Sequence, residues 1–228
     1  MTTASPGDTL LAIGLIAVPL AFTAFYAALA ATFHYPAVLR EPAGEVLARF
    51  RAGGTRLVLL WWAFAMTAVA FIPVAVGAAH LAGPDLAALT LVIGVLAGLV
   101  QALGLLRWPF LVPQLARDRE RSPEAVDAIF DATNRYLGVA IGEHLGYLLT
   151  GGWTILLSAG LLATGALPGW FAIVGIVIGA ALLIGCFEFV GPAERDGWAF
   201  AGAVVAVAYT AWSLWLILGG VLLLVLPH

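Results

Sequence analysis

The sequence predicts an all-α protein, one polytopic membrane bundle of six transmembrane helices, and three observations carry that expectation. Hydrophobic residues make up 63% of the 228 positions and charged residues only 10%, against about 25% charged in soluble domains. So few charges cannot cover a water-facing surface, and lipid must cover much of it. Six apolar runs have the length that a bilayer demands, about 20 residues. The ten positive charges, all arginine, cluster between those runs rather than within them.

The first run, residues 10–32, is longer than a signal-peptide core and follows a stretch that carries Asp8 and no positive charge, so a retained helix is expected. The second and third runs, 57–79 and 86–106, are separated by so short a break that they must be antiparallel neighbours. The fourth, 136–163, the fifth, 170–190, and the sixth, 199–226, are separated by glycine-bearing breaks. Two longer polar stretches lie at 33–56 and 107–135, and there is no room left for a separate soluble domain.

Arginine placement orients the bundle. Arg40, Arg49, Arg51 and Arg56 fall in the first connection, Arg107, Arg117, Arg119, Arg121 and Arg135 in the third, and Arg195 in the fifth. The positive-inside rule puts those connections in the cytoplasm, which places both termini outside it and the chain in a cell inner (plasma) membrane. Each long connection carries a helical pattern. Val46, Leu47 and Phe50 form an apolar stripe in the first, and Ser122 as N-cap with Pro123 at N1 leads to Val126, Ile129 and Phe130 in the third. Two short cytoplasmic helices lying in the membrane interface are expected.

Within lipid, helices associate through close backbone approach and interhelical hydrogen bonds. Four-residue spacing of small residues marks such seams at Gly94 and Gly98, Gly138, Gly142 and Gly146, Gly175 and Gly179, and Gly202, Ala206 and Thr210. Three glycines in register point to the fourth helix as the hub. Trp61, Trp62, Trp108, Trp170 and Trp198 sit near helix ends as interfacial anchors do, whereas the indoles of Trp153, Trp212 and Trp215 lie deeper and need partners.

Several kinds of chemistry are excluded. A net charge of −3 argues against a nucleic-acid partner. The absence of lysine rules out Schiff-base chemistry. The single cysteine, Cys186, reads as a small buried hydrophobe and leaves no thiol pair and no thiolate metal cluster. Neither a hydrolase nucleophile elbow nor a zinc-protease, P-loop or dinucleotide motif is present.

Glu143 is the polar group hardest to dismiss. About 10 Å inside the fourth helix, an ionised carboxylate costs up to about 2.5–3.5 kcal/mol and calls for protonation, a partner or water. Tyr136, Tyr147, Thr150 and Thr154 share its helical face. It is either the buried partner of Arg107 or Arg135 or a counter-ion, proton carrier or base in a cavity. His144 points about 100 degrees away, and with His34 it could form a two-histidine haem or metal site. Gln101 reads as an interhelical hydrogen-bond donor, and Glu188 as wetted by headgroups or paired with an arginine.

The segments Tyr35-Pro-Ala-Val-Leu-Arg-Glu-Pro, Glu45-Val-Leu-Ala-Arg-Phe, Arg107-Trp-Pro-Phe-Leu-Val-Pro, Gly142-Glu-His-Leu-Gly and Trp153 together resemble the bacterial membrane proteins of domain-of-unknown-function family 4386. The resemblance implies a six-helix membrane protein and supplies no catalytic residue. It groups Arg107, Trp108, Pro109, Pro113, Glu143 and Gly146 in a shared pattern.

The expectation is a non-enzymatic bundle with no cofactor, binding or passing a small hydrophobic or amphipathic ligand in a polar cleft lined by Gln101, Arg107, Glu143, Tyr147 and Thr150. One alternative is a structural or regulatory membrane component that docks a partner or anionic lipid through its arginine-rich connections. Another is an intramembrane enzyme using Glu143 and His144 as acid and base, which requires the two to meet on one cavity.

Overall fold

The computed structural model describes residues 6–226; residues 1–5, Pro227 and His228 lie outside that range. All the regular elements among the described residues are helical. Apart from three short 3-10 turns, they are α1 (Pro6–Phe33), α2 (Ala43–Ala78), α3 (Gly83–Phe110), α4 (Val112–Asp118), α5 (Pro123–Thr133), a π-helical segment (Asn134–Leu145) running into α6 (Gly146–Thr164), α7 (Gly169–Gly185) and α8 (Ala199–Val225).

Four stretches are long and apolar enough to cross a membrane: Pro6–Phe33, Ala43–Asp118, Pro123–Thr164 and Ala199–Val225. The second, 76 residues long, folds back on itself at Gly83, where φ is 75°. Gly169–Gly185 is a shorter apolar helix. Large apolar side chains such as Leu10, Val177, Val207 and Val225 point outward on these helices. Such a surface suits a lipid surround and not water.

The long helices close into a ring. α1 packs on α2, α2 on α3, α3 on α6, α6 on α7, α7 on α8, and α8 back on α1. The glycine seam of the fourth run therefore does not mark a central hub; the helix that carries it is one stave among equals. Its glycines serve close approach all the same, since a Cβ on Gly104 of α3 would stand 2.7 Å from the Cα of Gly142.

At one end, Asp8 meets His80 across 3.3 Å, and Gly220 of α8 lies against the carbonyl of Ala12. At the other end, ion pairs join the arginine-bearing connections. Arg40 reaches Glu188 at 3.8 Å, Arg51 pairs with Glu120, and Arg135 pairs with Glu194 at 2.6 Å.

The connections differ from expectation in three ways. Val46, Leu47 and Phe50 are buried, not laid in an interface, because Gly54 (φ 55°) breaks α2 and turns its first half over the end of the bundle. There it packs with α4, which the sequence did not announce, and with α5 through Val126 and Phe130. Ser122 does stand at the N-cap of α5 with Pro123 following, although its hydroxyl makes no cap hydrogen bond.

Trp61 and Trp108, expected as interfacial anchors, are both 0% exposed. Their rings stack at 4.5 Å inside this cap, flanked edge-on by Phe33. Trp62, Trp170 and Trp198 are exposed, as anchors are. A separate core around Phe71, Trp153, Phe171, Trp212 and Trp215 fills the middle of the ring.

Candidate functional site

The site begins where α3 meets the π-helical segment. In a π-helix each N–H reaches five residues back instead of four, which widens the turn and re-aims side chains; such segments recur at functional positions. Here the wide turns run through the residues singled out in the sequence, from Asn134 to Leu145.

Arg107 is buried between the two helices. Its guanidinium donates to the Gly104 carbonyl and, at 2.9 Å, to Asn134 Oδ1. It lies in the space a side chain at Gly138 would need, since a Cβ there would come within 2.6 Å of Nη2. No carboxylate among the described residues comes within ion-pairing distance of it; Glu143 and Tyr35 lie in its electrostatic field.

Gln101 of α3 donates to Thr150 of α6 at 2.8 Å, the interhelical hydrogen bond its position suggested. Thr154 bonds back to the Thr150 carbonyl at 2.7 Å and receives the indole N–H of Trp212 at 3.0 Å. Tyr147 meets Tyr209 edge-on at 5.5 Å. Thus Gln101 and Thr150 are brought into contact, while Arg107 and Tyr147 are engaged by other neighbours.

Glu143 faces a cleft of about 360 Å³ between the π-helical segment and the chain leaving α7. Tyr136, Val139, Ala140 and His144 line it from one side, Cys186, Glu188, Phe189 and Val190 from the other, and Arg135 stands at the edge. Gln101, Arg107, Tyr147 and Thr150 do not line this cleft. Among the described residues nothing hydrogen-bonds or ion-pairs with the Glu143 carboxylate. Arg135 is taken by the side chain and backbone carbonyl of Glu194, so neither arginine clamps Glu143.

His144 also lines the cleft, its Nδ1 2.6 Å from the Cys186 carbonyl. The angle between Glu143 and His144 on an ideal α-helix had argued against a shared cavity; the π-helical turn brings both to one. His34 is exposed at the end of α1 with φ 58°. Among the described residues no three His, Cys, Asp or Glu side chains gather to hold a metal ion.

Glu188 is the residue that sequence reasoning undervalued. The fifth helix ends at Gly185 and not near 190; the chain turns, and the Glu188 carbonyl receives the Trp198 N–H at 2.7 Å. That turn folds the carboxylate inward, over Gly202 of α8, where a Cβ would come within 2.7 Å of Oε1. Glu188 is only 9% exposed, and the one cation paired with it among the described residues, Arg40, is 3.8 Å away with 80% of its side chain in solvent. Burial pushes its carboxyl above the ordinary value, and Arg40 offsets part of the rise. Gly202, placed three residues after Ala199 at the start of an apolar run, is the one signal in the sequence that room was being left for something.

Fold and site together define an all-α protein with membrane-like apolar helices and a carboxylate-lined cleft at the end where its arginines gather. The chain belongs to the family described as Domain of unknown function (DUF4386), whose model matches residues 9–220. No curated protein and no solved structure matches it.

Proposed function

We propose that this is a six-helix integral membrane protein that binds a small amphipathic molecule in the cleft at Glu143, either to hold it or to pass it across the bilayer. The observation that carries the reading is a carboxylate, with no hydrogen bond or ion pair among the described residues, lining a cavity of about 360 Å³. Ligand pockets commonly begin near this size, at about 300 Å³, and combine apolar walls with a few polar groups. Keeping an unpaired carboxylate in such a place is costly and marks a functional position.

The test is a thermal-unfolding survey of purified protein against a panel of amphipaths. At least one class should raise the midpoint of the wild type and not that of Glu143→Gln. A panel that shifts both proteins alike, or neither, ends the binding reading.

Six crossings are supported by two long helices within Ala43–Asp118 and by the 17-residue α7, which could span with little tilt. The shared end of the arginine-bearing connections supports a cytoplasmic location for them and an outside location for both termini. In a Cys186→Ser background, a thiol at Asp85 should label in intact cells and one at Arg121 only after permeabilisation. The reverse pattern overturns the orientation.

A second reading has its own support. Arg56, Arg117, Arg121 and Arg195 are exposed and carry no ion pair among the described residues, as a surface facing anionic lipid headgroups would.

A further inference from the structure

The charge balance of the cleft goes further and names the class of molecule. Two carboxylates line it, Glu143 and Glu188, and the one arginine in its wall, Arg135, already has its charge met by Glu194. Arg40 approaches Glu188 only to 3.8 Å and is largely in water, where such pairs contribute little. Arg107, whose field reaches Glu143, does not line the cleft and gives its hydrogen bonds to Gly104 and Asn134. His144 turns Nδ1 to the Cys186 carbonyl and Tyr136 stands at the rim, so the two carboxyl groups, once ionised, are acceptors that the donors in the wall do not meet. The cleft's remaining wall is apolar and aromatic, from Tyr136, Val139, Phe189 and Val190, and Tyr136, 64% exposed, forms the rim.

Each kind of occupant has a different consequence. An anion would be pressed against two carboxylates. A neutral alcohol would satisfy one acceptor and leave the other desolvated. An ammonium group brings up to three N–H donors and a positive charge to both, and an attached apolar body covers the aromatic wall. Resting on the binding reading above, we infer that the cleft takes an amphipathic organic cation, its ammonium held between Glu143 and Glu188 and its apolar part lying along Tyr136, Val139, Phe189 and Val190.

The test uses the full-length protein in lipid nanodiscs and three probes that differ only in the head group: 4-phenylbutylammonium, 4-phenylbutanol and 4-phenylbutanoate. Binding is followed by saturation-transfer NMR and by equilibrium dialysis. The ammonium should bind saturably, with the alcohol and the carboxylate weaker by at least about tenfold. Glu143→Gln and Glu188→Gln should each weaken the ammonium by about tenfold and leave the alcohol unchanged.

Saturable binding of the alcohol or the carboxylate as tight as that of the ammonium, abolished by filling the cleft with Ala140→Trp, overturns the cation assignment and leaves the binding reading standing. Ammonium binding that survives Ala140→Trp, or none to the wild type, overturns both. Should a substitution prevent folding, the head-group series on the wild type decides between charges, and a diazirine-bearing ammonium locates the site. Cross-links expected at 132–144 or 185–190 support the inference; cross-links elsewhere overturn it.

Discussion

At the scale of single residues, the arginine end of the bundle depends on side chains that are missing. Gly104 and Gly142 let α3 touch the π-helical segment, and Gly138 leaves the slot in which the Arg107 guanidinium lies. Gly104→Ala would drive a methyl against the Gly142 backbone, and overpacking of this kind costs about 1–3 kcal/mol. Gly152 is the matched control, because its nearest outside atom, Ile93 Cγ2, is at an ordinary 3.8 Å. Thermal unfolding in one detergent should show a clear loss for Gly104→Ala and almost none for Gly152→Ala; equal losses would mean that the close approach is unimportant. Glu143 was legible in the sequence because a carboxylate inside an apolar run stands out on cost alone. Glu188 was not, since it sits near the end of the apolar run 170–190, where headgroups would wet a carboxylate, and the run hides the turn that begins after Gly185.

At the scale of elements, the long apolar helices could be read from the sequence and the cap over them could not. Long apolar runs have few alternatives in lipid. The amphipathic pieces in the long connections had two: to lie on headgroups or to fold onto the bundle end. A stripe such as Val46, Leu47 and Phe50 serves either purpose, as does a tryptophan near a helix end, and so Trp61 and Trp108 pass for anchors. What selects the folded cap is a partner surface, which only tertiary structure supplies. The π-helical turns are equally silent; the segment that adopts them packs along α3, where Gly104 meets Gly142. Within the cap, Arg119 donates to both carboxylate oxygens of Asp127, at 2.7 and 2.9 Å, tying α4 to α5. These hydrogen bonds hold the Asp127 carboxyl below its ordinary value. Its contribution to the cap is therefore fully present above the ordinary aspartate range, about 3.9, and is lost as pH falls through the depressed value. Amides of α5, corrected for intrinsic exchange rates, should lose protection across that acid window in the wild type. Asp127→Asn should be less protected at neutral pH and show no such step; an identical acid profile in both proteins would remove the ion pair from the account.

At the scale of the whole molecule, hydropathy and the clustering of arginines give which connections share an end, and the ion pairs from Arg40 to Glu188 and from Arg135 to Glu194 bring those connections together. Neither feature says whether six helices fill a solid bundle or close into a ring, because small-residue spacing marks a close contact without naming the partner. Closure is a question of whether the first and last long helices touch. They meet at Leu15 and Gly220, where a Cβ built on Gly220 stands 3.2 Å from that of Leu15. Disulfides hold their Cβ atoms about 3.5–4.5 Å apart, so a small outward shift admits one. In a Cys186→Ser background, Leu15→Cys with Gly220→Cys should therefore oxidise to a bond within one chain. After proteolytic cleavage in the connection that holds Arg117 to Arg121, the two halves should migrate together until reduced. Halves that separate without reduction would show that α1 and α8 do not meet, and a cross-link formed only between chains would mean that a second copy closes the ring.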